Sequence, residues 1–198
     1  VISNLIGRCQ CYLREFEGDP SVVSLRDVQR CLDLLIWFYY KIGMRKRQQD
    51  KGSMIISLLC RSTVLAISHV YGYRLPSSEA RRSFFIQLSS VVKRWSKIAI
   101  KIKFDALARE GFMQSVVENM QRRFVNNLVV EPSIAMNQAL TENLFVTIIC
   151  ILNKIPIFIV GRPGTSKTLA IQVIASNLQG SLSPMPLWRK FPAVYIFQ

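Results

Sequence analysis

Lys167 and Thr168 stand directly behind the turn Gly161-Arg162-Pro163-Gly164-Thr165-Ser166. That order of residue types suits one task, holding the phosphate tail of a nucleotide. A triphosphate is compact and strongly anionic. A helix N-terminus meets it with unpaired backbone N–H groups and the positive end of the macrodipole. Small residues let the backbone come close, a lysine neutralises the outer phosphates, and the next hydroxyl ligates magnesium. In this reading Gly161 and Gly164 form the turn, Pro163, Thr165 and Ser166 complete the cradle, Lys167 binds phosphate and Thr168 holds magnesium. The general pattern is G-x-x-x-x-G-K-[ST], and the chain departs from it only at Ser166, where the second glycine would stand. A Cβ there makes positive φ less comfortable, while the added hydroxyl offers a contact to phosphate. The competing account is a chance Gly/Pro turn between a core strand and a helix.

The flanks argue against chance. Ile155 to Val160 is apolar throughout, as expected of a parallel strand covered on both faces. After the loop, Ala170, Val173, Ile174 and Leu178 recur at helical spacing. Gly180 then stands where a helix-terminating glycine belongs. Upstream, Leu140, Leu144, Ile148 and Ile151 form a second helical stripe ending at Asn153-Lys154, and Pro156 forbids its continuation.

No acidic residue follows Glu142. Hydrolysis needs a carboxylate to hold magnesium and usually another to orient water. In P-loop proteins both come from a later strand, and Ala193 to Gln198 reads only as the start of one. The expectation is therefore a piece of a longer protein that carries the phosphate-binding half of a site and no catalytic residue of its own. Alone it would be silent as a hydrolase.

Half of the 198 residues are hydrophobic and 19% are charged, so a packed core is expected rather than disorder. The net charge of +14 admits acidic partners (nucleic acid, anionic membrane, nucleotides) without choosing among them. Five cysteines (Cys9, Cys11, Cys31, Cys60, Cys150) are scattered and odd in number, which reads as thiols in a reducing compartment rather than a zinc site. Met54 to Tyr73 carries Arg61 and His69, and Leu144 to Val160 carries Asn153, Lys154 and Pro156. Both therefore read as core elements, not membrane spans. His69 has no carboxylate or cysteine nearby in sequence and reads as a packed side chain.

Residues 1–43 read as helical. Ser24-Leu25-Arg26-Asp27 fits a capping box opening a helix with Val28, Cys31, Leu32, Leu35 and Tyr39 on one face. Lys41 to Gly52, with Arg45-Lys46-Arg47, is the linker candidate. Pro76-Ser77-Ser78-Glu79 starts a helix carrying Ala80, Phe84, Leu88, Val91 and Trp95. Lys93, Arg94, Lys97, Lys101 and Lys103 crowd around Trp95 and read as a solvent face. The expected organisation is 1–43, 44–131 as a basic helical connector, and 132–198 as the start of a nucleotide-binding core. The fold class is mainly α with an α/β portion.

Gly161 to Thr168 resembles the Walker A loop of AAA+ ATPases, and Val23-Ser24-Leu25-Arg26-Asp27-Val28 resembles a sensor-2 lid helix. With Asn143-Leu144-Phe145 ahead of the apolar run, these segments resemble the mysterin family of giant AAA+ proteins that are also ubiquitin ligases. The Ser166 departure is itself similar to that family's loop. The resemblance implies the helical lid of one AAA+ module, with Arg26 in it, followed by the first strand, P-loop and helix of the next. It implies ATP and magnesium as ligands, neighbouring AAA+ modules of the same chain as partners, and ubiquitin with a ubiquitin-conjugating enzyme as partners of the whole protein. The ligase elements, a RING and a zinc-containing segment, would lie elsewhere. Cytosol and lipid droplets are the implied location.

The expected function is thus an ATP-binding segment of a multi-module AAA+ ATPase that powers or regulates ubiquitin transfer, with no specific nucleic-acid role. Two alternatives stand beside it. One is a basic helical module that binds nucleic acid or anionic membrane with steep salt dependence. The other is a nucleotide site that binds ATP structurally and does not hydrolyse it.

Overall fold

A computed structural model describes residues 1–43, 51–98 and 105–196. Arg45-Lys46-Arg47, Lys101 and Lys103 lie outside the described residues, as do the side chains of Trp95 and Lys97. The chain divides into two compact units, Val1–Val117 and Glu118–Gln198. Among the described residues the regular elements are all helical, so the fold is mainly α as expected.

In the first unit, α1 (Ile2–Glu17) ends at Gly18, whose φ of 68° supplies the left-handed stop. Asp19 then accepts hydrogen bonds from the Ser21 amide and hydroxyl, both at 2.8 Å, and turns the chain through Pro20. α2 (Leu25–Gly43) starts where the capping box was expected, and half of that box forms. The Asp27 carboxylate accepts from the Ser24 amide at 2.7 Å, but the Ser24 hydroxyl also turns to this carboxylate, at 3.2 Å. Arg74 donates to the Val22 carbonyl and lies 3.8 Å from Asp27 and 4.0 Å from Glu17, pinning this corner.

The buried row of α2 is Cys31, Leu34, Leu35 and Phe38. It is rotated from the expected face, and Leu32 is left exposed. Apolar residues occupy both rows, so periodicity could not choose between them. α2 packs on α3 (Lys51–Val70), the central helix of the unit. The stretch Ile55–Arg74 is long and apolar enough to cross a membrane, yet 67% of its most apolar window is buried within the fold. Leu58, Cys60, Val64, Leu65 and Ile67 make it a core helix. α4 (Ser78–Ile98) opens at Ser77, whose hydroxyl accepts from the Ala80 amide at 3.1 Å. It buries Phe84, Leu88 and Val91 as the spacing predicted. A short α5 (Asp105–Ala108) follows.

α6 (Phe112–Val125) runs across the division between the units. The second unit is built on α7 (Gln138–Leu152) and α8 (Lys167–Asn177). Leu140, Leu144 and Ile148 meet Ala170, Val173, Ile174 and Leu178, with Trp188 closing the cluster. These are the two stripes read from the sequence, with Ile151 packed at their edge. Asn177 is 1% exposed. Its side chain accepts from the Val129 amide at 2.7 Å and donates to the Val129 carbonyl at 2.8 Å, as a neighbouring strand would. Trp188 Nε1 donates to the Asn127 carbonyl.

α7 stops through a Schellman arrangement. The Ile155 amide reaches the Cys150 carbonyl at 2.9 Å, the Lys154 amide reaches Ile151 at 3.2 Å, and Lys154 takes φ 55°. The expected strand at 155–160 forms no ladder among the described residues. Its residues alternate instead: Ile155, Ile157 and Ile159 are half-buried, while Pro156, Phe158 and Val160 are exposed, Phe158 at 93%. The expectation of a strand covered on both faces is therefore corrected to a run covered on one. An apolar run becomes a ladder only where a second backbone offers its N–H and C=O groups. Among the described residues of the region read as a beginning second strand there is likewise no ladder, and the Val194 amide bonds the Leu178 carbonyl at 2.8 Å. Gly180 has the expected positive φ, 62°, but α8 ends earlier and Gly180 opens a 3-10 turn.

Candidate phosphate-binding loop

The residues from Gly161 to Thr168 turn tightly and lead into α8 with Lys167 as its first residue. Gly164 has φ 79° and Ser166 φ 56°, while Thr165 between them is outside the positive-φ set. Gly164 and Ser166 thus put two left-handed residues in the loop, the kind of backbone from which anion-binding nests are built. The strain anticipated for Ser166 is thus realised in its backbone. Its side chain makes no capping hydrogen bond, so the first amides of α8 keep their donors without a side-chain cap. At Gly161 a Cβ would stand 3.0 Å from Thr165 Oγ1, a tight contact that this side chain would have to ease by a few tenths of an ångström.

Lys167 curls back over this turn. Its Nζ donates to the carbonyls of Gly161 at 2.8 Å and Arg162 at 2.7 Å, and to Thr165 Oγ1 at 3.1 Å. Thr165 Oγ1 in turn donates to the Arg162 carbonyl at 2.8 Å. The three N–H bonds of the ammonium thus all meet loop oxygens, and none meets a carboxylate. Thr168 is exposed on the first turn of α8, with its hydroxyl open to a ligand. From Asn143 onward the chain has no acidic side chain, while Lys154, Arg162, Arg189 and Lys190 add positive charge.

The structure brings Gly161, Pro163, Gly164, Thr165, Ser166, Lys167 and Thr168 together in one turn. Arg26 belongs to the other unit, exposed on the first turn of α2. One contact was not legible in advance. Asn143 Nδ2, from α7, donates to the Thr165 carbonyl at 2.8 Å, across 22 positions. No periodicity or spacing links those residues.

Cys9, Cys31 and His69 are buried. The Cys9 thiol is pushed well up by burial, and that of Cys31 to about 12 for the same reason. Burial lowers His69 to about 4. All five cysteines are free thiols, and among the described residues no three His, Cys, Asp or Glu side chains gather as a metal site.

The comparisons with known proteins give the class of this segment. A family model described as the RNF213 AAA domain matches residues 133–198. Along 99% of its length the chain is 32% identical to E3 ubiquitin-protein ligase rnf213-beta of Danio rerio. It is 28% identical to E3 ubiquitin-protein ligase RNF213 of Mus musculus and of Homo sapiens, again over 99% of the chain. The chain belongs to the RNF213, or mysterin, family, and it spans about 4% of the length of these relatives.

Proposed function

We propose that residues 161–168 bind the phosphates of ATP with magnesium, as the Walker A loop of one AAA+ module. The observation that carries this is the conjunction of left-handed backbone at Gly164 and Ser166 with an ammonium whose hydrogen-bond partners among the described residues are neutral oxygens of the same loop. Phosphate oxygens are stronger acceptors for an ammonium than carbonyls are. Lys167 would therefore leave the Gly161 and Arg162 carbonyls for the nucleotide. The amides of 164–168 would hold the β- and γ-phosphates, and Thr168 would supply one magnesium ligand. Magnesium, when bound, neutralises phosphate charge. This chain's residues bind and orient, and no acidic side chain follows Glu142 in its sequence.

In this reading residues 1–43, with Arg26, form the lid of a preceding module, 44–131 connect, and 132–198 open the next. The relatives are named as E3 ubiquitin-protein ligases, and the whole protein would be an ATPase that powers or regulates ubiquitin transfer, acting in the cytosol and at lipid droplets with a ubiquitin-conjugating enzyme. Amide exchange of the intact protein tests the site. Magnesium–ATP should protect 161–169, and unchanged exchange there would refute it.

A further inference from the structure

We infer that Asn143 is a positioning residue for the phosphate loop, setting nucleotide affinity without touching nucleotide. The inference rests on the reading above and adds to it a residue outside the loop. Asn143 sits half-buried on α7, beside the buried pair Leu144 and Phe145, so its backbone is fixed by the core. Its Nδ2 donates to the Thr165 carbonyl at 2.8 Å. The other side-chain partners of loop atoms, Thr165 Oγ1 and Lys167 Nζ, both come from the turn or the helix start it must present. Asn143 therefore gives the turn a fixed external reference.

The direction of this bond matters. The Thr165–Ser166 peptide is trans, so its C=O and N–H point to opposite sides of the plane. Holding the carbonyl toward α7 turns the Ser166 N–H away from α7, toward the concave side of the nest. It also holds the plane that precedes Ser166, the one non-glycine residue of the loop in the left-handed region. That conformation costs an L-residue energy, and without the tie the plane can rotate to relieve it. The nest would then lose one inward N–H before any ligand arrives.

The test uses the intact protein and two variants, Asn143→Leu, which keeps side-chain volume but cannot donate, and Asn143→Ala. Amide exchange without nucleotide reads the tie, and titration with a fluorescent ATP analogue plus magnesium reads its consequence. Both variants should exchange several-fold faster at 164–168, with the core peptide at 173–178 unchanged. Affinity should fall about fivefold to tenfold, the scale of one well-placed hydrogen bond. Unchanged exchange at 164–168 would overturn the tie. Faster exchange with wild-type affinity would overturn its role in binding. Absence of nucleotide binding by the wild-type protein would overturn the underlying reading, and this inference with it.

Discussion

Lys167 Nζ donates to the carbonyl oxygen of Gly161 at 2.8 Å, six positions back along its own loop. The ammonium thus stays inside the turn by satisfying its hydrogens on neutral oxygens. Such contacts are individually weak, since each replaces a bond to water. A polyanion competing for the same ammonium gains charge–charge attraction as well. The loop is closed without being locked.

Backbone strain provides the first prediction. Ser166 and Lys154 are the two non-glycine residues at positive φ among the described residues, at 56° and 55°. Left-handed backbone costs an L-residue about 1–2 kcal/mol, partly offset in glycine by its looser unfolded state. Ser166→Gly and Lys154→Gly should each stabilise this chain by about 0.5–1 kcal/mol. Chemical denaturation measures this, and a loss of stability in either variant contradicts the strain.

Asn177 provides the second. Its amide satisfies both backbone groups of Val129 and donates to the Val173 carbonyl at 2.9 Å. Asn177→Leu would leave the partly buried Val129 amide and carbonyl without their partner, so destabilisation by about 1–3 kcal/mol is expected in the second unit. Fluorescence of the buried Trp188 reports that unit's unfolding, and an unchanged midpoint would refute the role.

The third concerns pH. Burial lowers His69 from its usual 6.5 to about 4, so the folded state disfavours the imidazolium. Between those values the unfolded chain binds the extra proton and the folded chain does not. Stability is therefore complete above about pH 6.5 and falls as pH drops toward 4. The full effect is on the order of 3 kcal/mol. Denaturation midpoints from pH 7 to 4.5 should decline in wild type and decline less in His69→Gln. Equal slopes would contradict the assignment.

The fourth concerns thiols. Cys11 is exposed, whereas Cys9 and Cys31 are buried with their thiols held protonated. Reactivity follows the accessible thiolate. A thiol reagent under native conditions should modify Cys11 first, and Cys11→Ser should remove the fast phase. A fast phase surviving in Cys11→Ser would contradict this.

Much of the second unit was legible because its signals are local. Leu140, Leu144 and Ile148, then Ala170, Val173, Ile174 and Leu178, repeat at the helical period and meet in one core. Positive φ at Gly164, Gly180 and Ser166 followed from turn chemistry. What escaped was relational. Composition marked 155–160 as apolar but could not supply a pairing backbone, and the run is covered on one side only. In α2, Leu32 and Leu34 are equally apolar, and only packing on α3 chose Leu34 for the interior. The ties of Asn143 to Thr165, Asn177 to Val129 and Trp188 to Asn127 join distant positions by one or two hydrogen bonds each, which leave no period in a sequence.

The central claim is that the Lys167 ammonium exchanges its loop carbonyls for the phosphates of ATP. Equilibrium titration of magnesium–ATP against the intact protein and its Lys167→Ala variant, with other nucleotide sites of the same protein silenced, tests it most directly. The predicted result is saturable binding by wild type and a loss of at least about tenfold in the variant, the scale of one charge-assisted contact. Equal affinity in the two proteins would contradict it.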